Sequence, residues 1–295
     1  KRRDIDLVLV MCPGWGVSQP PLGISYLTSF LEGRGFSVKG IDLSLELYKV
    51  FPEKKYWDLN YPDYFVTPQL FEDYIAPVLG KYIDSFVKKI MDYNPRVVGF
   101  SMFMSNCIIS FLLARKLRQA NPDLIIVGGG PEITRIKRVM GDGIANYAYL
   151  DRDSILEGAF DVYIDGEGEQ ALEELLILVR DQSEFRHIEG ALYVRNGSLV
   201  VNRPRKLMDE LDILPPPMFD DYDLSSYLRC ALPTVTSRGC INRCTFCADS
   251  PLWKMYRCRS ANKVYEEIIA LADKYGREQF EIADSIFNGY MNRVE

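Results

Sequence analysis

In the first half of the chain, short, near-continuous apolar runs alternate with longer segments whose apolar residues recur every three or four positions. The short runs, Leu7 to Met11, Phe36 to Ile41, Val97 to Met102, Leu124 to Val127 and Asp161 to Ile164, predict buried strands. The periodic segments Leu22 to Arg34, Lys81 to Tyr93, Ile109 to Ala120 and Glu169 to Asp181 predict amphipathic helices. Gly35 closes the first of these helices, and Pro95 lies just beyond the second. Strands apolar along most of their length, alternating with helices, make a parallel sheet covered on both faces. Five of them with right-handed crossovers predict a flavodoxin-like (Rossmann-like), doubly wound α/β sheet over residues 1–185.

The pattern then changes. Gly190 to Val194 and Leu199 to Asn202 flank Asn196-Gly197, the dipeptide preferred in two-residue hairpin turns. Leu214-Pro215-Pro216-Pro217-Met218 follows as a stiff extended stretch, so residues 186–226 read as hairpin and linker. From about Tyr227 to residue 295 come a strand (Pro233 to Ser237), a cysteine-bearing loop, a helix (Ala261 to Tyr275) and a strand (Gln279 to Ala283). That order matches the opening of a (β/α) barrel. Between the second and third strands, Tyr48 to Tyr74 is crowded with aromatics: Phe51, Tyr56, Trp57, Tyr61, Tyr64, Phe65, Phe71 and Tyr74. It either packs on the sheet as a helical elaboration, which is the expectation, or caps a ligand.

The 295 residues suffice for about two domains, and 47% hydrophobic with 26% charged residues is ordinary for a folded chain. A net charge of −6 and an isoelectric point near 5.1 disfavour nucleic acid as a partner. No apolar run approaches the ~20 residues that span a bilayer, so no membrane is expected. The run Ile5 to Met11 is broken by Asp6 and followed by Pro13, unlike a signal peptide. Seven cysteines, sparse and odd in number, do not form a disulfide framework, and reduced thiols point to the cytoplasm.

The chemistry concentrates in Arg238-Gly239-Cys240-Ile241-Asn242-Arg243-Cys244-Thr245-Phe246-Cys247. The C-x3-C-x2-C spacing lets one loop aim Cys240, Cys244 and Cys247 at three corners of a [4Fe-4S] cluster, leaving one iron open to a small molecule. Zinc or structural thiols are the alternatives. A zinc site wants a fourth ligand, and Cys258 lies eleven residues on while His187, the single histidine, lies far upstream. Cys12, Cys107, Cys230 and Cys258 read as packed thiols. Doubly wound sheets bind ligands beyond the carboxyl ends of their strands. There the chain offers Gly14, Trp15 and Gly16, Asp42-Leu43-Ser44, Ser101 and Met102, Gly128, Gly129 and Gly130, and Gly166, Glu167 and Gly168. Loops of this kind need glycine for their turns in any case; together they line a ligand mouth.

The whole arrangement resembles the cobalamin-binding radical S-adenosylmethionine (SAM) family, over nearly all 295 residues. The resemblance rests on the cysteine run with Phe246 before its third cysteine, and on Pro20-Pro21-Leu22-Gly23 after the first strand. Val127-Gly128-Gly129-Gly130-Pro131, Gly166-Glu167-Gly168-Glu169 heading a helix, and the proline-rich stretch also match. It implies a cobalamin domain followed by the start of a partial (β/α)6 radical SAM barrel, of which only about one and a half of six units are present, as in a fragment. It implies cobalamin, a [4Fe-4S] cluster on Cys240, Cys244 and Cys247, and SAM bound at the open iron. Arg238, Asn242 and Arg243 would then stand beside the cluster. Asp284 would either accept from the SAM ammonium or simply cap its strand.

The activity implied is methyl transfer to an unactivated carbon of a small-molecule or natural-product substrate through a 5′-deoxyadenosyl radical. An electron donor such as flavodoxin or ferredoxin would supply the reducing equivalents. Alternatives are a cobalamin-dependent cyclase or ring-rearranging enzyme, a methylthiotransferase acting on tRNA or protein, and a non-catalytic cobalamin or iron–sulfur sensor or relay. One departure stands out: the D-x-H-x-x-G histidine of methionine synthase is absent after the first strand. The lower face of cobalt would lack imidazole, with Ser101, Met102 and Asn106 as candidate neighbours.

Overall fold

The computed structural model describes residues 5–57, 62–142, 152–245, 247, 253 and 255–290. Strands β1 (Ile5–Met11), β2 (Val38–Asp42), β3 (Pro95–Ser101), β4 (Ile125–Gly129) and β5 (Val162–Ile164) pair in parallel in the order β2-β1-β3-β4-β5. This is the flavodoxin-like order, with the crossover from β2 to β3 passing over β1. β1 is central, placing Leu7 opposite both Val38 and Val97, and Leu7, Val8 and Val10 are fully buried. The hairpin β6 (Ala191–Arg195) and β7 (Ser198–Val201) continues the same sheet, β6 lying antiparallel to β5. Asn196 (φ 51°) and Gly197 (φ 70°) form its turn, both left-handed as a tight hairpin requires.

Two apolar layers cover the sheet. One holds α1 (Leu22–Glu32) and the helix Gly168–Arg180; the other holds the helices Ile83–Met91 and Cys107–Ala120. Among the described residues, helices beyond those the pattern predicts include Leu43–Val50, Glu132–Asp142 and Arg152–Leu156. In chain order the eight helices used below are α1, α2 (Leu43–Val50), α3 (Ile83–Met91), α4 (Cys107–Ala120), α5 (Glu132–Asp142), α6 (Arg152–Leu156), α7 (Gly168–Arg180) and α8 (Ala261–Tyr275). The segment Asp42-Leu43-Ser44, expected at the ligand mouth, instead starts α2: the Asp42 carboxylate accepts from the Leu45 N–H at 3.0 Å as its N-cap.

The aromatic insertion packs on the second layer. Phe51, Trp57, Phe65 and Phe71 are buried, meeting edge to face with Phe51–Trp57 centroids 4.9 Å and Trp57–Phe65 centroids 5.2 Å apart. The Trp57 indole N–H donates to Ser44 Oγ at 3.2 Å, tying the insertion to α2. Tyr61 lies outside the described residues.

Beyond the sheet, β8 (Leu232–Thr234) pairs in parallel with β11 (Phe280–Ile282), connected through α8. A short ribbon, β9 (Ser237–Arg238) with β10 (Arg257–Cys258), brackets the cysteine run. The proline-rich stretch is held at both sides: Met218 N–H donates to the Ser25 carbonyl in α1 at 3.1 Å, and Phe219 N–H to the Tyr275 hydroxyl in α8 at 2.8 Å. Among the described residues, no helix is long and apolar enough to cross a membrane.

Candidate functional site

The carboxyl ends of β1, β3, β4 and β5 open on the side of the sheet where β8 and β9 lie, and a cavity of about 320 Å³ fills the gap. Its wall on the sheet side includes Ser101, Phe103, Gly129, Gly130 and the turn Gly166-Glu167-Gly168. Across it stand Ser237, Arg238, Gly239, Trp253, Ala283 and Ser285. Of the residues expected at the mouth, Ser101, Gly129, Gly130, Gly166, Glu167 and Gly168 are brought together on this wall. Gly14, Trp15, Gly16, Met102 and Gly128 do not line it.

The loops are shaped by close backbone contacts. Gly130 has φ +96°, and a Cβ there would stand 2.7 Å from the Met102 carbonyl oxygen. Gly14 has φ +99°, and its Cβ would meet the Ser105 carbonyl oxygen at 2.3 Å. Met102 is fully buried, and its N–H donates to the Gly129 carbonyl at 2.7 Å. Its sulfur would be 3.1 Å from a Cβ on Gly128, so Met102 packs within the sheet layer and does not line the cavity. Asn106 is likewise buried, its amide donating to the Ser101 carbonyl at 3.0 Å and its oxygen accepting the Phe103 N–H at 2.8 Å. It orders the loop that carries Ser101 and Phe103. Trp15 stacks on Phe103 with ring centroids 3.9 Å apart.

The cysteine run leaves β9. Cys240 and Cys247 are half-buried and Cys244 is exposed, all three as free thiols. The Asn242 N–H donates to Cys240 Sγ at 3.4 Å, and Cys247 N–H to the Cys244 carbonyl at 3.1 Å, turning the loop back. Among the described residues no three Cys, His, Asp or Glu side chains are gathered as a metal-holding group. Phe246 lies outside the described residues. Three accessible free thiols on one short loop, one receiving a backbone N–H, suit an iron–sulfur cluster, because metal–thiolate bonds themselves draw such a loop together. Asn242 and Arg243 are exposed on the same loop.

The other thiols differ. Cys12 is fully buried, and burial pushes its thiol up to about 12; burial also raises Cys107, so both stay protonated in the core. Cys230, expected as a packed thiol, is exposed, because Arg229 N–H ties the chain to the Ser18 carbonyl and leaves 228–230 on the surface. His187 is exposed as well.

Asp284 is fully engaged by protein. Its carboxylate accepts from Thr236 N–H at 2.7 Å and Thr236 Oγ1 at 2.5 Å, and from Ser237 N–H at 3.1 Å and Ser237 Oγ at 2.7 Å. These contacts are those of a strand cap: they fix the residues leading into the cysteine run.

The site also holds an ion network whose pairing the sequence does not mark, although Glu167 and Arg238 each stand in a motif it offers. Glu167 accepts from Arg238 Nη1 at 2.7 Å and, through both oxygens, from Arg257 Nη1 at 3.0 Å. Glu169 accepts from Arg238 Nη2 at 2.5 Å. Burial works to raise the Glu167 carboxyl, but Arg238 and Arg257 outweigh it and hold it below the usual carboxylate range. Burial likewise opposes the Arg238 charge, and Glu169 and Glu167 more than offset this. Tyr26 on α1 lines the cavity and donates to Glu267 of α8 at 2.7 Å. Gly166-Glu167-Gly168-Glu169 and Arg238 stand out in the sequence one by one; that they pair with each other and with Arg257 does not.

Comparison with known proteins adds four findings. A family model described as the B12 binding domain matches residues 15–176. An uncharacterized methyltransferase of Pyrococcus horikoshii is 27% identical over 92% of this chain and 50% of its own length. The anaerobic magnesium-protoporphyrin IX monomethyl ester cyclase of a Synechocystis strain is 26% identical over 70% of this chain and 40% of its own. The chain thus spans about half or less of the length of these curated relatives. Among solved structures, the cobalamin-dependent SAM radical enzyme OxsB, with aqua-cobalamin and SAM bound, superposes over 98% of this chain and 35% of that one. The TM-score is 0.66 at 18% identity, a likeness of fold.

Proposed function

This chain belongs to the B12-binding domain family, and from that premise we propose that it is the cofactor-holding part of a cobalamin-dependent radical SAM enzyme. Cobalamin sits at the carboxyl end of the sheet. Cys240, Cys244 and Cys247 hold a [4Fe-4S] cluster whose remaining iron takes SAM. The reaction is methyl transfer to an unactivated carbon of a small molecule. A second reading, radical cyclisation, is favoured by the likeness to the magnesium-protoporphyrin IX monomethyl ester cyclase.

The observation that carries the proposal is the shared cavity. One wall comes from the loops of a B12-binding sheet and the other from the stem of a C-x3-C-x2-C run. When bound, the cluster supplies one electron to SAM and cobalamin supplies a methyl-carrying cobalt. The chain's own residues bind and orient. Gly129 and Gly130 let the backbone approach a bulky ring. Trp15 stiffens Phe103 on the cavity wall, and Asp284 holds Thr236 and Ser237 so that the run leaves β9 in one direction. Leu9, Leu22, Leu27, Phe100 and Val127 make the cavity floor apolar and exclude water. The exposed stretch Ile241 to Thr245 gives a one-electron donor such as flavodoxin or ferredoxin an approach.

The test is spectroscopic. After anaerobic reconstitution and reduction, SAM should perturb the electron paramagnetic resonance signal of the cluster. An unperturbed signal at saturating SAM counts against an open iron.

A further inference from the structure

We infer that Glu167 is a positioning residue that fixes both stems of the cysteine loop against the lip of the sheet and sets the charge beside the cluster site. The inference deepens the proposed function and rests on it for the cluster.

The ribbon supplies the geometry. Arg238 and Arg257 are directly opposite partners in the antiparallel β9–β10 pair. One stands two residues before Cys240 and the other ten after Cys247, so they are the two stems of the loop. A single carboxylate, Glu167, accepts from both guanidinium groups. It stands 71 and 90 residues from them, in the turn between β5 and α7. Glu169, one helical position into the same segment, reaches Arg238.

The clamp is dry. The side chains of Glu167, Arg238 and Arg257 are 7%, 12% and 4% exposed. The Glu167 carboxylate also accepts the Met208 N–H at 2.7 Å, and Arg257 Nη1 donates to the Met208 carbonyl at 2.6 Å. Among the described residues, Arg257 Nε and Nη2 are buried with no hydrogen-bond partner, so its charge leans on Glu167. Buried ion networks of this kind give little net stability, and their attested use is to hold one arrangement among several. Here the arrangement held is that of the loop relative to the sheet, because Glu167 and Arg238 also face each other on the cavity wall.

The charge consequence follows. Glu167 and Glu169 balance Arg238 and Arg257. Neutralising either carboxylate leaves one excess positive charge at the root of the loop, which favours the more negative, reduced cluster. Neutralising Glu167 alone also frees both stems at once.

Glu167→Gln and Glu169→Gln are compared with the unaltered full chain. In the iron-free protein, hydrogen exchange of amides 239–245 and 257–259 should quicken at least tenfold in Glu167→Gln and by no more than about threefold in Glu169→Gln. After reconstitution, both variants should raise the one-electron reduction equilibrium of the cluster about tenfold, which is about 59 mV. Exchange unchanged in Glu167→Gln, or equally quickened in both, overturns the clamp; an unchanged potential in Glu167→Gln overturns the charge role. If Glu167→Gln does not fold, Glu167→Asp is read instead. It should quicken exchange with the potential unmoved, and unaltered exchange there overturns the clamp. A chain that takes up no iron defeats the functional proposal, while the exchange comparison still decides the clamp.

Discussion

Arg259 donates to Glu267 at 2.6 Å, and both side chains are 1% exposed. Tyr26 of α1 donates to the same Glu267 at 2.7 Å and accepts from Arg259 at 3.2 Å, so the pair welds the sheet's first helix to α8. Removing one partner leaves a buried charge unpaired, which costs about 3–5 kcal/mol. Glu267→Ala should lose that much in urea unfolding. A loss below about 1 kcal/mol would mean the contact does not hold the two parts together.

Gly130 makes a sharper claim about the mouth. Its positive φ and its 2.7 Å Cβ clearance from the Met102 carbonyl leave no room for a side chain. Gly130→Val should displace the β4–α5 turn and lower cobalamin affinity at least tenfold by equilibrium titration. Wild-type affinity would place the corrinoid elsewhere.

Asp42 gives a pH signature. It is buried, accepts from Tyr227 Oη at 2.8 Å, and burial pushes its carboxyl up to about 6, outweighing its hydrogen bonds. The unfolded chain ionises first, near 4, so unfolding releases a proton and stability falls as pH rises from about 4 to 6. Relative to Asp42→Asn, the wild-type protein should lose roughly 3 kcal/mol across that window. Parallel stability curves for the two proteins would refute a raised carboxyl.

What the sequence revealed follows from physics local to the chain. β1, β3 and β4 were readable because both faces of a central parallel strand are buried, which writes an unbroken apolar run. The helix α8 was readable to the residue, since Ser260 caps it at Lys263 N–H and Gly276 ends it at φ +62°. α2 was hidden because its cap, Asp42, also ends a strand and its eight residues show barely two turns. α5 was hidden because its buried residues Ile133 and Ile136 sit among charges. The cysteine run announces its chemistry by spacing, whereas the Glu167–Arg238 contact joins residues 71 positions apart and depends on the folding of the chain between them. Asp284 shows the same limit. Its four donors come from Thr236 and Ser237, neighbours only because β11 lies parallel to β8.

Asp284 therefore predicts a selective defect. Asp284→Ala removes acceptors from two N–H and two O–H groups at the root of the cysteine run. Iron retained after reconstitution and desalting should fall by half or more, with cobalamin uptake unchanged. An equal loss of both metals would point to general unfolding instead of a local role.

The central claim is that one chain carries both cofactor sites, and metal content tests it most directly. Iron and cobalt per chain are measured after anaerobic reconstitution with iron, sulfide and hydroxocobalamin, then desalting. The account predicts about four irons and one cobalt, with iron lost and cobalt kept when Cys240, Cys244 and Cys247 are replaced by alanine. Iron without cobalt, or iron that survives the triple replacement, would contradict it.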